Sequence, residues 1–181
     1  MNSTPIIPPF SSFPLGSPTG RTDGAVSYLA LAFGPKGLGA AEEFLACASS
    51  STPTSLCTVP AADTRVLEAF RATLGRARVG LRILLAGPEA DVYAARSVAL
   101  EAGAVESEVL LSITEAVSRR VYCPHCTSTT VTDAVIGREL ECSGCDRSLV
   151  VDQHFSRRTA SYLGYMSDAE EVPQTVERAA A

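Results

Sequence analysis

Lysine is almost missing from this sequence. Lys36 is the one lysine among fifteen basic residues, so an anion site here would have to be built from arginine forks. Positive charge is also in deficit: twenty acidic residues leave a net charge of -5 and a pI near 5.1. That is the wrong sign for a general nucleic-acid binder. Long apolar runs are absent too, since none approaches the roughly 18–20 residues that cross a bilayer. The N-terminal stretch MNSTPIIPPFSSFPLG has no positive n-region and is broken by prolines, so it does not read as a secretory signal. The expectation is a cytoplasmic chain. A reducing compartment disfavours structural disulfides, and a CxxC pair there reads as metal-binding or redox-active.

What is present is an ordinary globular composition, 46% hydrophobic and 19% charged, over 181 residues. That length suits one domain of common size with a small appendage. Residues 1–22, rich in Ser, Pro and Gly, read as a flexible arm, with Ile6, Ile7 and Phe10 offering a docking alternative. Residues 23–118 alternate strand and helix. AVSYLALAF (25–33) is a candidate buried strand, GPKGLG (34–39) a turn, and AAEEFLACA (40–48) a helix. SLCTV (55–59) is a second strand, and Asp63 is placed to cap a helix with Val66, Leu67, Phe70 and Leu74 on one face. LRILLA (81–86) is the strongest strand; Gly87-Pro88 turns into a helix stopped by Gly103, and EVLLSIT (108–114) returns as a strand. Strands apolar on both faces and alternating with helices predict an α/β fold, a small parallel sheet of about four strands with flanking helices.

After Arg119 the composition changes to cysteines and turn residues. Cys123-Pro-His-Cys126 and Cys142-Ser-Gly-Cys145 are two CxxC knuckles with fifteen residues between them. Two intervening residues let a tight turn aim both sulfurs at one ion, and two such knuckles complete a tetrahedron. Four thiolates close the coordination sphere, so the metal would be structural. Zinc suits such a site; iron in a rubredoxin-like centre or a small cluster is the alternative. TSTTVTDAV and GRELE alternate like two strands about a turn near Gly137. Residues 119–166 are thus expected to form a zinc ribbon with a C-terminal docking segment, its core separate from the sheet's, and 167–181 a flexible tail. His125 reads as a solvent-facing turn residue, and Cys47 and Cys57 as small buried hydrophobes.

Two resemblances follow. LRILLAGPEADVYAARSVALEAGAVESEVLLSIT (81–114) resembles the last strand–helix–strand unit of the pyridine-nucleotide domain of ferredoxin reductases, with Ala86 where that family has a cysteine. The resemblance makes Lys36, Gly37 and Gly87 weak cofactor-binding candidates. Pro35 removes a donor from GPKGLG, however, and the G-x-G-x-x-G order is missing. A degenerate scaffold and a working nucleotide site both stay open, the latter implying a reductase component.

RRVYCPHC, with ECSGCDRSLVVDQHFSRRTASYLGY, resembles the small subunit of bacterial dimethylamine monooxygenase, related to heme-dependent oxidative N-demethylases. That resemblance implies a non-catalytic subunit of a complex converting dimethylamine to methylamine and formaldehyde. Heme would sit on an oxygenase partner, and FMN and [2Fe–2S] on a reductase partner. His154, Phe155, Arg157 and Arg158 become partner-docking candidates, with Tyr162, Leu163 and Tyr165 as further anchors. A terminal helix packed on its own ribbon is the plainer reading of that segment. A stand-alone zinc-ribbon interaction module is also open; a nucleic-acid module lacks a basic face, with six arginines against five acids over 119–158.

Overall fold

The computed structural model describes residues 24–47 and 51–167. The arm 1–22 with Ile6, Ile7 and Phe10, and the tail beyond Ser167, lie outside the described residues. Three strand–helix steps come first: β1 (Ser27–Phe33), α1 (Gly34–Cys47), β2 (Thr54–Val59), α2 (Thr64–Leu74), β3 (Leu81–Pro88), α3 (Glu89–Glu101) and β4 (Val109–Glu115). The four strands pair in parallel in the order β2-β1-β3-β4. This is the parallel α/β sheet expected from strands apolar on both faces. The order reverses between β1 and β3, the position where open α/β sheets form a crevice. No helix among the described residues is long and apolar enough to cross a membrane.

The alternation along each strand assigns the two faces. Leu31, Phe33, Ile83, Leu85, Val109, Leu111 and Ile113 join Phe70 and Leu74 of α2 and Val92, Tyr93 and Val98 of α3 in one buried cluster. The opposite face presents Ala30, Ala32, Leu84, Ala86 and Leu110 to Leu38, Ala41, Phe44 and Leu45 of α1. Alanines on that side let α1 approach closely. Asp63 caps α2 as expected, its carboxylate accepting from Val66 N at 2.8 Å. Gly103, at φ +100°, ends α3 in a Schellman motif, with Ala104 N donating to Ala99 O at 3.0 Å.

GPKGLG is not a free turn. It forms the first turns of α1, with Pro35 at a position where its missing N–H costs nothing. Its glycines serve packing: a Cβ on Gly37 would collide with the Ala86 carbonyl oxygen, and one on Gly87 would lie 2.7 Å from Phe33 Cβ. Gly37→Ala should therefore destabilise the protein by roughly 1–3 kcal/mol. Gly39→Ala faces open space and should be neutral or stabilising by up to about 1 kcal/mol. Urea midpoints of the two variants check the contrast.

A second sheet follows within a few residues of β4, from β5 (Arg119–Tyr122), β6 (Thr129–Thr132), β7 (Glu139–Glu141), β8 (Ser148–Ser156) and β9 (Ser161–Met166). Its order is β6-β5-β9-β8-β7, with β5 and β9 parallel and the other pairs antiparallel. Two expectations change here. TSTTVTDAV and GRELE do not pair with each other; β6 and β7 occupy opposite edges. The segment after the last cysteine is a β-hairpin, not a helix, because Leu149, Val151 and Phe155 on β8 and Tyr162 on β9 supply buried residues across a strand pair.

The two sheets share a core. Val121, Val151, Phe155, Ala160 and Tyr162 belong to the same buried cluster as α2, α3 and the parallel sheet. Phe155 stacks on Tyr93 of α3 at 4.9 Å and on Tyr162 at 5.1 Å between ring centroids. Arg96 of α3, only 2% exposed, donates to the Arg157 carbonyl in the hairpin turn and pairs with Glu106 at 2.5 Å. The expectation of a separate ribbon core is corrected by these contacts.

Candidate metal centre

The two knuckles are built alike. Cys123 N donates to Ser128 O and Thr127 N to Cys123 O, each at 2.9 Å; Cys142 N to Arg147 O and Asp146 N to Cys142 O repeat the pattern at the same distance. The residue after each second cysteine, Thr127 at φ 63° and Asp146 at φ 57°, is left-handed. That conformation turns the chain sharply enough to bring each pair of thiols together.

All four sulfurs lie within 4.8 Å of one another. Cys123 and Cys145 are 3.9 Å apart and Cys126 and Cys142 3.5 Å. Four thiolates about 2.3 Å from one ion would sit about 3.8 Å from each other, while a disulfide needs about 2.05 Å. The spacing fits a shared ion, and these four cysteines could hold a metal. Cys123 and Cys142 are buried against Leu149, with Cys126 and Cys145 nearer the surface.

The surroundings favour thiolate on one side of the cluster. Hydrogen bonds from the Ser128 hydroxyl and backbone N–H hold the Cys126 thiol down at about 6. At Cys145 the Arg147 N–H also favours thiolate, but burial and the sulfurs of Cys126, Cys142 and Cys123 outweigh it and push the thiol up to about 12. Four sulfurs this close cannot all carry charge without a cation between them, which is the condition a bound divalent ion relieves. Gly144 is part of the same device: a Cβ there would strike Ser128 and come within 3.0 Å of the Cys126 sulfur. Thr130 Oγ1 accepts from Ser143 N at 3.1 Å and so ties the second knuckle to β6.

Residues 120–165, which span β5 to β9 and all four cysteines, match the family described as "Dimethylamine monooxygenase subunit DmmA-like, C-terminal domain". Over 105 residues the chain is 39% identical to the heme-dependent oxidative N-demethylase delta subunit of Ectopseudomonas mendocina (strain ymp). The ribbon is thus similar to that C-terminal domain. The aligned part is 58% of this chain and 59% of that relative. No solved structure matches the chain.

The other candidates around the ribbon divide by burial. Arg157 and Arg158 are exposed in the β8–β9 turn, and His154 is exposed just before it. Phe155 and Tyr162 are 7% and 6% exposed. They are core residues, so Phe155 is corrected from docking anchor to packing residue, because its ring is enclosed by Tyr93 and Tyr162. Leu163 is half-buried and Tyr165 is 41% exposed. His125 is exposed in the first knuckle. Cys57 is exposed on the edge strand β2, contrary to the buried hydrophobe expected, because the side chains of residues 54–58 on that outermost strand stay open to solvent. The side chain of Cys47 lies outside the described residues. At the nucleotide end, Lys36 pairs with Glu115 at 3.0 Å. A carboxylate there competes with any phosphate for the α1 N-terminus.

Ser128, Gly144, Arg96 and Glu89 were not picked out from sequence. Ser128 and Gly144 carried a positional signal, being next to or inside the knuckles. Glu89, 5% exposed, lies at the joint between the sheets, where Tyr162 Oη donates to its Oε1 at 3.4 Å. Burial raises its carboxyl above the ordinary range, against the Arg119 charge and the Tyr162 bond. The same burial, with the Glu89 charge, pushes the Tyr162 hydroxyl up to about 12. A raised acid stabilises the fold below its unfolded pKa, and that contribution is lost as pH rises through the folded value. Glu89→Gln keeps an acceptor for Tyr162 and removes the titration. The variant should therefore gain on wild type as pH rises above the ordinary carboxylate range, checked by melting temperatures across the pH series.

Proposed function

We propose that this chain is a non-catalytic, zinc-binding subunit of a multi-subunit dimethylamine monooxygenase, aiding assembly or electron delivery. The reaction of the whole complex is the conversion of dimethylamine, dioxygen, reduced nicotinamide and a proton to methylamine, formaldehyde, water and oxidised nicotinamide. One observation carries the reading: the DmmA-like match covers the complete four-cysteine centre, from β5 through β9. Four cysteine sulfurs close a zinc site and leave no position for oxygen or amine. When bound, zinc would cross-link the two knuckles. Cys123, Cys126, Cys142 and Cys145 would hold it, with Ser128 and Gly144 shaping the cage. Heme belongs in this reading on an oxygenase partner, and FMN and [2Fe–2S] on a reductase partner. We assign the cytoplasm as its place.

The hairpin turn is the docking edge of this reading. Arg96 fixes the turn from beneath by its bond to the Arg157 carbonyl, while the Arg157 and Arg158 side chains face outward. Charge-reversed Arg157→Glu/Arg158→Glu should fold normally yet lose association with the oxygenase and reductase subunits by about 2–5 kcal/mol, the cost typical of a broken buried interfacial charge pair. A change within about 0.5 kcal/mol would exclude both arginines from the interface. The test of the function is reconstitution: formaldehyde release from dimethylamine should require this chain together with its partners. Full activity with the chain omitted, or turnover by the chain alone, would refute the proposal.

A further inference from the structure

The opposite end of the parallel sheet carries a feature the metal centre does not use. Where α2 runs into β3, the loop G-R-A-R-V-G (75–80) projects Val79, 95% exposed, between Arg78 and Gly80. Gly80, at φ +91°, bends the loop back, and Val26 N bonds its carbonyl at 2.9 Å. Beside the loop lies an open hollow of about 300 Å³. Leu74, Leu81 and Ile83 are among its walls, Val79 and Val105 flank it, and Arg78 and Glu108 border it. Val105 is itself 55% exposed.

The charges around the hollow are unequal in their availability. Glu101 is paired with Arg71 at 2.6 Å and Glu106 with Arg96 at 2.5 Å. Glu108 accepts from Val105 N at 3.1 Å and keeps its charge, so it is the one carboxylate that an incoming acid would meet opposite Arg78 in the lining of the hollow. Arg76 and Arg78 are exposed and make no ion pair among the described residues. In a chain of net charge -5, residues 64–82 hold five arginines against the single acid Glu68. The combination is a hollow with Leu74, Leu81 and Ile83 in its walls and an exposed valine beside it, with Arg78 at its border and Arg76 in the same loop.

We infer that this surface binds an acidic segment of a partner protein that inserts one apolar side chain into the hollow. Guanidinium forks at the rim suit carboxylates, and a single enclosed apolar anchor surrounded by charge is how such interfaces concentrate their affinity. A second copy of this chain is disfavoured as occupant, because the same face would bring arginines against arginines. A nucleic acid is disfavoured by the chain's overall negative charge. The inference goes beyond the reading above and does not depend on it, since it concerns neither the ribbon nor the Arg157–Arg158 turn.

The test uses the full chain and a short fluorescein-labelled peptide of Glu and Asp with one central Leu, followed by fluorescence anisotropy. Binding is expected, weakening as salt is raised. Arg76→Glu/Arg78→Glu and, separately, Val79→Asp should each weaken it by about tenfold or more. A peptide with Ser in place of the Leu should lose a similar factor, and Arg157→Glu/Arg158→Glu should change nothing. All five substituted positions are exposed, and circular dichroism verifies that the variants fold. No binding up to about 1 mM peptide would overturn the inference. So would equal binding of the Ser peptide, or tighter binding of a single-stranded oligonucleotide. Self-association in sedimentation that Val79→Asp abolishes would instead give the face to a second copy.

Discussion

Stripping the metal with a chelator, or replacing Cys142 with Ser, is expected to unfold β5–β9 and to loosen α3 in the same transition. Structural zinc contributes about 10–16 kcal/mol in zinc-finger peptides, comparable with the whole stability of a domain at about 5–15 kcal/mol. Cys142 is fully buried, and Leu149, against which the sulfurs pack, lies on the strand that also carries Val151 and Phe155 into the shared core. Without the metal, β8 loses the knuckle that fixes its start. Tyr93 then loses its stacking partner and Arg96 the Arg157 carbonyl. Hydrogen exchange on the α3 amides reads this directly. Protection there should fall together with that of β8. Unchanged α3 protection in the metal-free protein would mean that the shared packing carries no coupling.

Phe155→Ala should be among the most destabilising single substitutions, costing about 3–5 kcal/mol. The ring lies between Tyr93 and Tyr162, in the packing of α3 against the β8–β9 hairpin. Its loss strikes the contact that makes two sheets one folding unit. Tyr165, 41% exposed on the neighbouring strand, gives the comparison: Tyr165→Ala should stay within about 0.5 kcal/mol. Urea denaturation of both variants measures the difference. Equal costs would contradict the division between core aromatics and surface aromatics of the hairpin.

The parallel sheet was legible because its strands are local signals. The stretch 83–88 is apolar on both faces, and Asp63 and Gly103 carry helix-end chemistry in single residues. The four cysteines were legible because a metal cage imposes a spacing. GPKGLG misled because its glycines suggest a turn, whereas Gly37 is demanded by a carbonyl on β3, far away in sequence. The terminal hairpin misled for a related reason. Phe155 and Tyr162 find their burial against Tyr93, more than sixty residues earlier. No periodicity within QHFSRRTASYLGYM announces that contact. Long-range packing also hid Glu89 and Arg96, which look like ordinary surface residues of a helix until the ribbon covers them.

Element analysis of the purified chain, read beside its absorption spectrum, tests the central claim most directly. The account predicts about one zinc per chain, bound through the four cysteines, lost in Cys142→Ser and without visible absorption. Stoichiometric iron with thiolate-to-iron charge-transfer bands would contradict it, and would turn this ribbon from a structural clamp into an electron carrier.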